Sequence, residues 1–219
     1  MVRARMTGPR KKLLLVGATG LVGRHVLQRA LADPRVDAIV APSRRALPTH
    51  ARLSSPLVDY ERLDEDAGWW RADAVICSLG TTLRRAGSQT AFRRVDHDYP
   101  LAVARLARAH GTPTYVLNSA IGASADSRFF YNRVKGELEN GLRQVGFDAL
   151  TLVRPGVIGG HRDEFRLGER LIVGMLNVAG PLLPQRWRLN PASSIAESLL
   201  EAALAPQAGV NVIDAEKMT

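Results

Sequence analysis

At 219 residues, with 46% apolar and 23% charged side chains, the chain has the balance of a globular protein and the length of one α/β domain, leaving no room for a large separate substrate domain. Its one cysteine, Cys77, excludes an intramolecular disulfide and points to a reducing, cytoplasmic setting. The net charge of +9 raises nucleic acid as a partner, but the arginines are scattered, without aromatic interleaving, zinc-ligand spacing or a basic arm, so no specific nucleic-acid partner is expected.

Residues 1–10 read as a flexible tail, with Met6 an alternative start, and 11–219 as the domain. The basic start followed by Leu13-Leu14-Leu15 imitates a signal peptide, but the apolar run enters a glycine turn instead of a cleavage site. No run approaches the roughly 18 apolar residues of a membrane span, so no membrane association is expected. Residues 12–16 read as a buried strand and 21–32 as a helix ended by Asp33-Pro34. Strands follow at 38–41, 56–58 and 74–78. A long helix is expected over 90–109, bent or interrupted near Pro100 and closed by Gly111. Then come a strand at 114–118, a helix at 128–145 stopped by Gly146, and a strand at 149–153. Beyond Gly160 the pattern weakens: 165–178 looks helical, 180–191 irregular, 195–205 helical, and 210–213 reads as a last strand. Alternation of strand and helix implies an α/β fold, a Rossmann-like, doubly wound parallel sheet in a single domain. A small segment, about 160–194, is expected to cover the substrate.

Gly17-Ala18-Thr19-Gly20-Leu21-Val22-Gly23 falls between the first strand and the first helix, where a dinucleotide site needs it. The first glycine permits a tight turn, the second lets backbone approach a pyrophosphate, and the third allows helix and sheet to pack closely. Gly17, Thr19, Gly20, Leu21, Val22 and Gly23 are therefore candidate cofactor residues, the helix N-terminus facing the phosphates. After the second strand an NAD site would carry a carboxylate, but the chain reads Ser43-Arg44-Arg45. Two guanidiniums and a hydroxyl suit a 2′-phosphate, so NADP(H) is expected in preference to NAD(H).

Tyr131-Asn132-Arg133-Val134-Lys135 carries the chemistry. Residues four apart on a helix share a face, so a phenol and an ammonium can enter one cleft. A neighbouring cation favours a phenolate and fits tyrosine for general acid–base work. Of 30 basic residues only Lys11, Lys12, Lys135 and Lys217 are lysine, so Lys135 departs from the arginine used at every other position between 13 and 216. A site needing a compact ammonium on a flexible stem accounts for that departure. Ser119, at the end of the fifth strand, lies twelve residues before Tyr131 and is the expected hydroxyl for polarising the substrate oxygen, with Asn118 and Ser124 as substitutes.

Taken together, Gly17–Gly23, Ser43-Arg44-Arg45, Cys77-Ser78-Leu79-Gly80-Thr81-Thr82, Val95-Asp96-His97-Asp98-Tyr99, Asn118-Ser119-Ala120-Ile121-Gly122-Ala123, Phe130-Tyr131-Asn132-Arg133-Val134-Lys135-Gly136-Glu137, Arg154-Pro155-Gly156-Val157 and Arg166-Leu167-Gly168-Glu169-Arg170 resemble the atypical short-chain dehydrogenase/reductases. The resemblance is to the group of Tat-interacting oxidoreductase-like proteins and NAD(P)-dependent epimerase-dehydratases, and it runs from Lys11 to about Ala205. It implies an NADP-dependent oxidoreductase using Ser119, Tyr131 and Lys135 on a small alcohol or carbonyl compound, with epimerase- or dehydratase-like chemistry also open. It further implies that Tyr131 and Lys135 touch the cofactor, that Gly80 and Thr81 border the adenosine ribose and diphosphate, that Asp59 reaches the adenine, and that Pro155 and Val157 frame the nicotinamide carboxamide. Ala120 stands where relatives often have a second serine, which leaves the role to Ser119.

The remaining residues read as structural. Cys77 is a buried small hydrophobe, the five histidines lack metal spacing, Trp69-Trp70 pack a short helix, and Asp64-Glu65-Asp66 is a solvated helix start. No metal is expected; a homodimer through 90–109 and 128–145, or a protein partner, is compatible with the pattern. The alternative to catalysis is an NADP-sensing scaffold without turnover.

Overall fold

Short apolar runs with no polar alternation demand cover on both faces, and parallel strands linked by helices supply it. In the computed structural model, which describes residues 9–156, 158–159 and 190–218, seven strands form the main sheet. They are β1 (Lys11–Val16), β2 (Val36–Val40), β3 (Leu53–Ser54), β4 (Ala74–Cys77), β5 (Thr114–Asn118), β6 (Ala149–Arg154) and β9 (Gly209–Asp214). Their order is β3-β2-β1-β4-β5-β6-β9, every neighbouring pair parallel. A small parallel pair joins β7 (Ile158–Gly159) to β8 (Asn190–Pro191). The chain reverses its direction of travel across the sheet between β1 and β4, which opens a crevice at the carboxyl ends of the strands.

Alternation along the strands sorts the core into two layers. Leu13, Leu15, Ile39, Ile76 and Val116 pack with α1 (Leu21–Ala32) and α6 (Ala192–Leu204). Leu14, Val75, Tyr115, Leu117 and Leu152 pack with α4 (Tyr99–Ala109) and α5 (Phe130–Val145). The first layer is fastened by Arg35, which pairs with Asp33 after α1 and with Glu201 on α6. The Arg35 guanidinium, by its hydrogen bonds, holds the Asp33 carboxyl below the usual aspartate value. No helix among the described residues is long and apolar enough to cross a membrane.

Three expectations need correction. The third strand is Leu53–Ser54 and not 56–58, because Pro56 has no N–H to give; Leu57 makes only an isolated bridge with Ser43. The helix expected over 90–109 has the interruption expected near Pro100, but lies in three pieces: α3 (Gln89–Arg93), a π-helical turn at Arg94–Asp98, and α4. Pro100 cannot donate to the carbonyl four residues back, and the Tyr99 N–H reaches five back, to Arg94, so the proline is absorbed by a widened turn. Asp64-Glu65-Asp66 forms exposed turns instead of a helix start; Asp64 accepts from the Asp66 N–H, and its carbonyl accepts from the indole of buried Trp70 at 2.8 Å. The helix expected at 165–178 and most of the irregular segment at 180–191 lie outside the described residues.

Candidate functional site

The glycine turn is shaped by close packing. Gly17 has φ +87°, and a Cβ there would lie 2.6 Å from the Ser78 carbonyl carbon; one on Gly23 would lie 2.0 Å from the Gly17 oxygen. Those two positions are closed to any side chain. Gly20 differs: a Cβ there would meet only the Gly17 oxygen at 3.3 Å and the Ser78 oxygen at 4.0 Å, so its outer side is bare. Gly20 caps α1 without a side-chain bond, and the first helical bond runs from the Arg24 N–H to its carbonyl at 3.0 Å. The N–H groups of Leu21, Val22 and Gly23 therefore precede the helical ladder, as an anion site requires. Thr19 is half-buried in the same turn, while the Val22 side chain belongs to the core, leaving only its backbone to face a ligand.

Beyond β2, Ser43 is buried and bridged through its backbone to Pro56 and Val58, and its hydroxyl accepts from the Arg45 N–H at 3.3 Å. Arg44 and Arg45 are exposed, and neither belongs to an ion pair among the described residues. Asp59 is exposed and its carboxylate accepts from the Glu61 N–H at 3.0 Å, a local turn. Gly80 and Thr81 follow β4, and the Thr81 N–H donates to Asp96 at 2.8 Å.

Tyr131 and Lys135 come together as expected on one face of α5. Tyr131 is 39% exposed, its ring edge-on to buried Phe92 at 5.8 Å, whereas Lys135 is buried. The Lys135 ammonium lies 2.9 Å from Asp96, itself buried on the π turn. Burial pushes the lysine down, but Asp96, with a smaller share from Tyr131, outweighs it and holds Lys135 above its ordinary value. The helix can press this close to the preceding loop because its seventh residue is Gly136, where a Cβ would lie 2.1 Å from the Ser124 backbone. Asn132 completes the fastening, its amide donating to the Ile121 carbonyl at 2.9 Å.

Ser119 is placed differently from the expectation. Its hydroxyl donates to Glu139 at 2.6 Å, one turn beyond Lys135, instead of meeting Tyr131 at a common oxygen. Glu139 is buried and held by Arg154 through two bonds of 3.0 and 2.5 Å, with Arg143 at 3.6 Å. On β5 the neighbouring Asn118 has a buried side-chain oxygen with no partner among the described residues, an acceptor that an amide or hydroxyl donor of a ligand would satisfy. Pro155 is buried after β6, its carbonyl accepting from the Ile121 N–H at 2.8 Å; Val157 lies outside the described residues. Asn190, fully buried, accepts from the Gly156 N–H at 2.7 Å and donates to the Ala215 carbonyl at 2.9 Å, tying the loop after β6 to the C-terminal turn. Burial pushes the Cys77 thiol up, which suits a structural residue.

Asp96, Glu139, Arg154 and Asn190 have no individual part in the sequence reading. A signal existed for two of them, since Asp96 and Glu139 are acids at positions whose helical phase matches buried neighbours such as Phe92 and Leu142. The bare Gly20, the N-terminus of α1 with no side-chain cap, and two arginines and an Asn118 oxygen without partners among the described residues together fit a phosphate-bearing dinucleotide.

Comparison with known proteins agrees. The family described as NAD(P)H-binding matches residues 17–167. A mitochondrial fmp52 protein of Emericella nidulans is 37% identical over 186 residues, covering 79% of each chain. Protein HTATIP2 of Rattus norvegicus is 34% identical over 207 residues, covering 91% of this chain and 84% of its own. Among solved structures, MoeE5 in complex with UDP-glucose and NAD superposes with a TM-score of 0.70 at 16% identity, over 92% of this chain and 74% of that one, a likeness of fold. The Bordetella bronchiseptica enzyme WbmH in complex with NAD+ gives 0.68 at 14% identity, over 94% and 76%. The chain belongs to the NAD(P)H-binding family, among the atypical short-chain dehydrogenase/reductases.

Proposed function

We propose that the protein is an NADP-dependent oxidoreductase acting on a small alcohol or carbonyl compound, with Tyr131 as its general acid and base. The observation that carries this reading is a half-exposed phenol four residues before a buried lysine paired with Asp96, on the rim that also holds the glycine turn. When bound, the cofactor supplies or accepts the hydride. In reduction, Tyr131 gives its proton to the substrate oxygen as the carbonyl carbon becomes an alcohol; in oxidation it takes that proton back. Lys135 stabilises the phenolate that remains. Ser119 would have to release Glu139 to donate to the same oxygen, so it acts as a supporting donor and Tyr131 bears the proton transfer. Arg44 and Arg45 would clasp the 2′-phosphate. Asp59 would reach the adenine, Gly80 and Thr81 the diphosphate side, and Pro155 and Val157 the nicotinamide.

Titration with NADPH and NADH, followed by nicotinamide fluorescence, tests the cofactor assignment. The expected outcome is tighter NADPH binding, weakened when Arg44 and Arg45 are changed to Ala; equal affinity for both would remove the NADP preference. NADPH oxidation against a panel of carbonyl compounds then tests the reaction. The engagement of Ser119 by Glu139 favours a second reading, an NADP-sensing scaffold that presents a surface to a protein partner. Tyr131→Phe separates the two: turnover should fall by about 10²-fold or more with NADPH binding kept, if catalysis is the role. The single buried thiol fits a reducing compartment, and the cytoplasm is proposed, although the Emericella relative is named as mitochondrial.

A further inference from the structure

Asp96 is a carboxylate that is 1% exposed, and it sits on a π-helical turn, an insertion that recurs at functional sites. A buried carboxylate needs full partners. Asp96 has two of different kinds: one oxygen meets the Lys135 ammonium at 2.9 Å and the other accepts the Thr81 N–H at 2.8 Å. Gly80 lies directly above, where a Cβ would come within 3.3 Å of the first oxygen. The carboxylate thus joins the lysine to the loop after β4. We propose that Asp96 is a positioning residue that holds Lys135 as an ammonium in a dry site and fixes it to the Gly80-Thr81 loop, so that the site grips its cofactor equally from neutral to alkaline pH. This rests on reading the site as an NADP site.

Among the described residues, three groups act on the charge of Lys135. Asp96 faces it from the π turn, Tyr131 from its own helix and Cys77 from β4, while burial opposes its charge more strongly than any one of them supports it. Cys77 is itself kept as a thiol by burial, and Tyr131 is a half-exposed phenol. Glu139, one turn further along α5, is bonded to Arg154 and Arg143, so without the Asp96 carboxylate no carboxylate among the described residues would pair with the ammonium, and Lys135 would lose its proton below its ordinary value.

The test is the pH dependence of NADPH affinity between pH 7 and 9.5. Wild-type affinity should stay within about twofold, while that of Asp96→Asn should weaken about tenfold per pH unit once Lys135 begins to deprotonate. The double change Asp96→Asn with Lys135→Met should bind weakly with no pH dependence. A role in stability alone would weaken Asp96→Asn equally at every pH, and that flat profile would overturn the proposal. A second measurement needs no variant and no cofactor. With four lysines in the chain, 13C-lysine labelling follows Lys135 Cε in the wild-type protein. The signal should not titrate below the ordinary 10.5, and a midpoint below that value would overturn the proposal. Failure of the wild-type protein to bind NADPH would instead remove the cofactor reading, and the lysine titration would still judge Asp96.

Discussion

One turn apart on the same face of α5, Lys135 and Glu139 carry opposite charges, yet each turns to a different part of the fold. Lys135 pairs with Asp96 and both are almost completely dry, at 3% and 1% side-chain exposure. Glu139 is equally dry, but its main partner Arg154 keeps 25% of its side chain in solvent, and Arg143 and Ser119 share the load. The first pair is isolated and adjoins the half-exposed Tyr131. The second is a small network that binds α5 to the ends of β5 and β6. Isolation suits a group whose charge must be kept for use; redundancy suits a joint.

Removing one member of each pair should expose this difference. Asp96→Ala strands a buried ammonium and should cost about 3–5 kcal/mol, read from chemical denaturation. A cost below about 1 kcal/mol would mean that water reaches Lys135. Glu139→Gln leaves a hydrogen-bonding group in place and Arg154 partly solvated, so about 2 kcal/mol is expected, on the scale of a lost charge-assisted bond. If Glu139→Gln proved the costlier, the network and not the isolated pair would be the keystone of the helix. Ser119→Ala should cost about 1 kcal/mol of stability by the same measure. Its loss of turnover should stay well below that of Tyr131→Phe; an equal loss would return Ser119 to the centre of the chemistry.

Dependence on pH sharpens the contrast further. Lys135 is raised in the fold, so its contribution is complete below the ordinary lysine value of 10.5 and is lost only as pH rises through the higher folded value. Melting temperatures should therefore show no loss from this pair between pH 7 and 9. Between α1 and β2, Asp33 is lowered, so its contribution is present above 3.8 and disappears as pH falls through its folded value. Asp33→Asn should flatten the acid side of the stability curve slightly, the smallest of these effects.

Much of the fold is written in local apolar pattern. The runs at β1, β4, β5 and β6 have no alternation and no helix length, so they read directly as buried parallel strands. β3 escapes such a reading because two residues carry no period, and its neighbour Leu57 looks more strand-like while standing 69% exposed. The π turn escapes for a different reason: Phe92, Asp96 and Pro100 follow one another at helical spacing, so an added residue in the turn leaves the pattern intact. At the site, Tyr131 and Lys135 are legible because lysine is rare in this chain. Glu139 is harder to read: its phase with Leu142 hints at burial, but among Arg133, Glu137 and Arg143 a further charge looks like one more solvated position. What singles it out is Arg154, which arrives from another strand, and sequence spacing does not report that meeting.

The widened turn at Arg94–Asp98 also sets a phase. An α-helix rotates about 100° per residue, so shortening this turn by one residue would give a smoother helix while swinging everything before it a quarter-turn or more around the axis. Phe92 would then leave the ring of Tyr131, and α3, whose first turn is capped by the Ser88 hydroxyl accepting from the Ala91 N–H, would be carried out of line with the loop after β4. One residue thus works here as a spacer in angle. A deletion that improved the helix on paper would uncouple the two halves of the crevice.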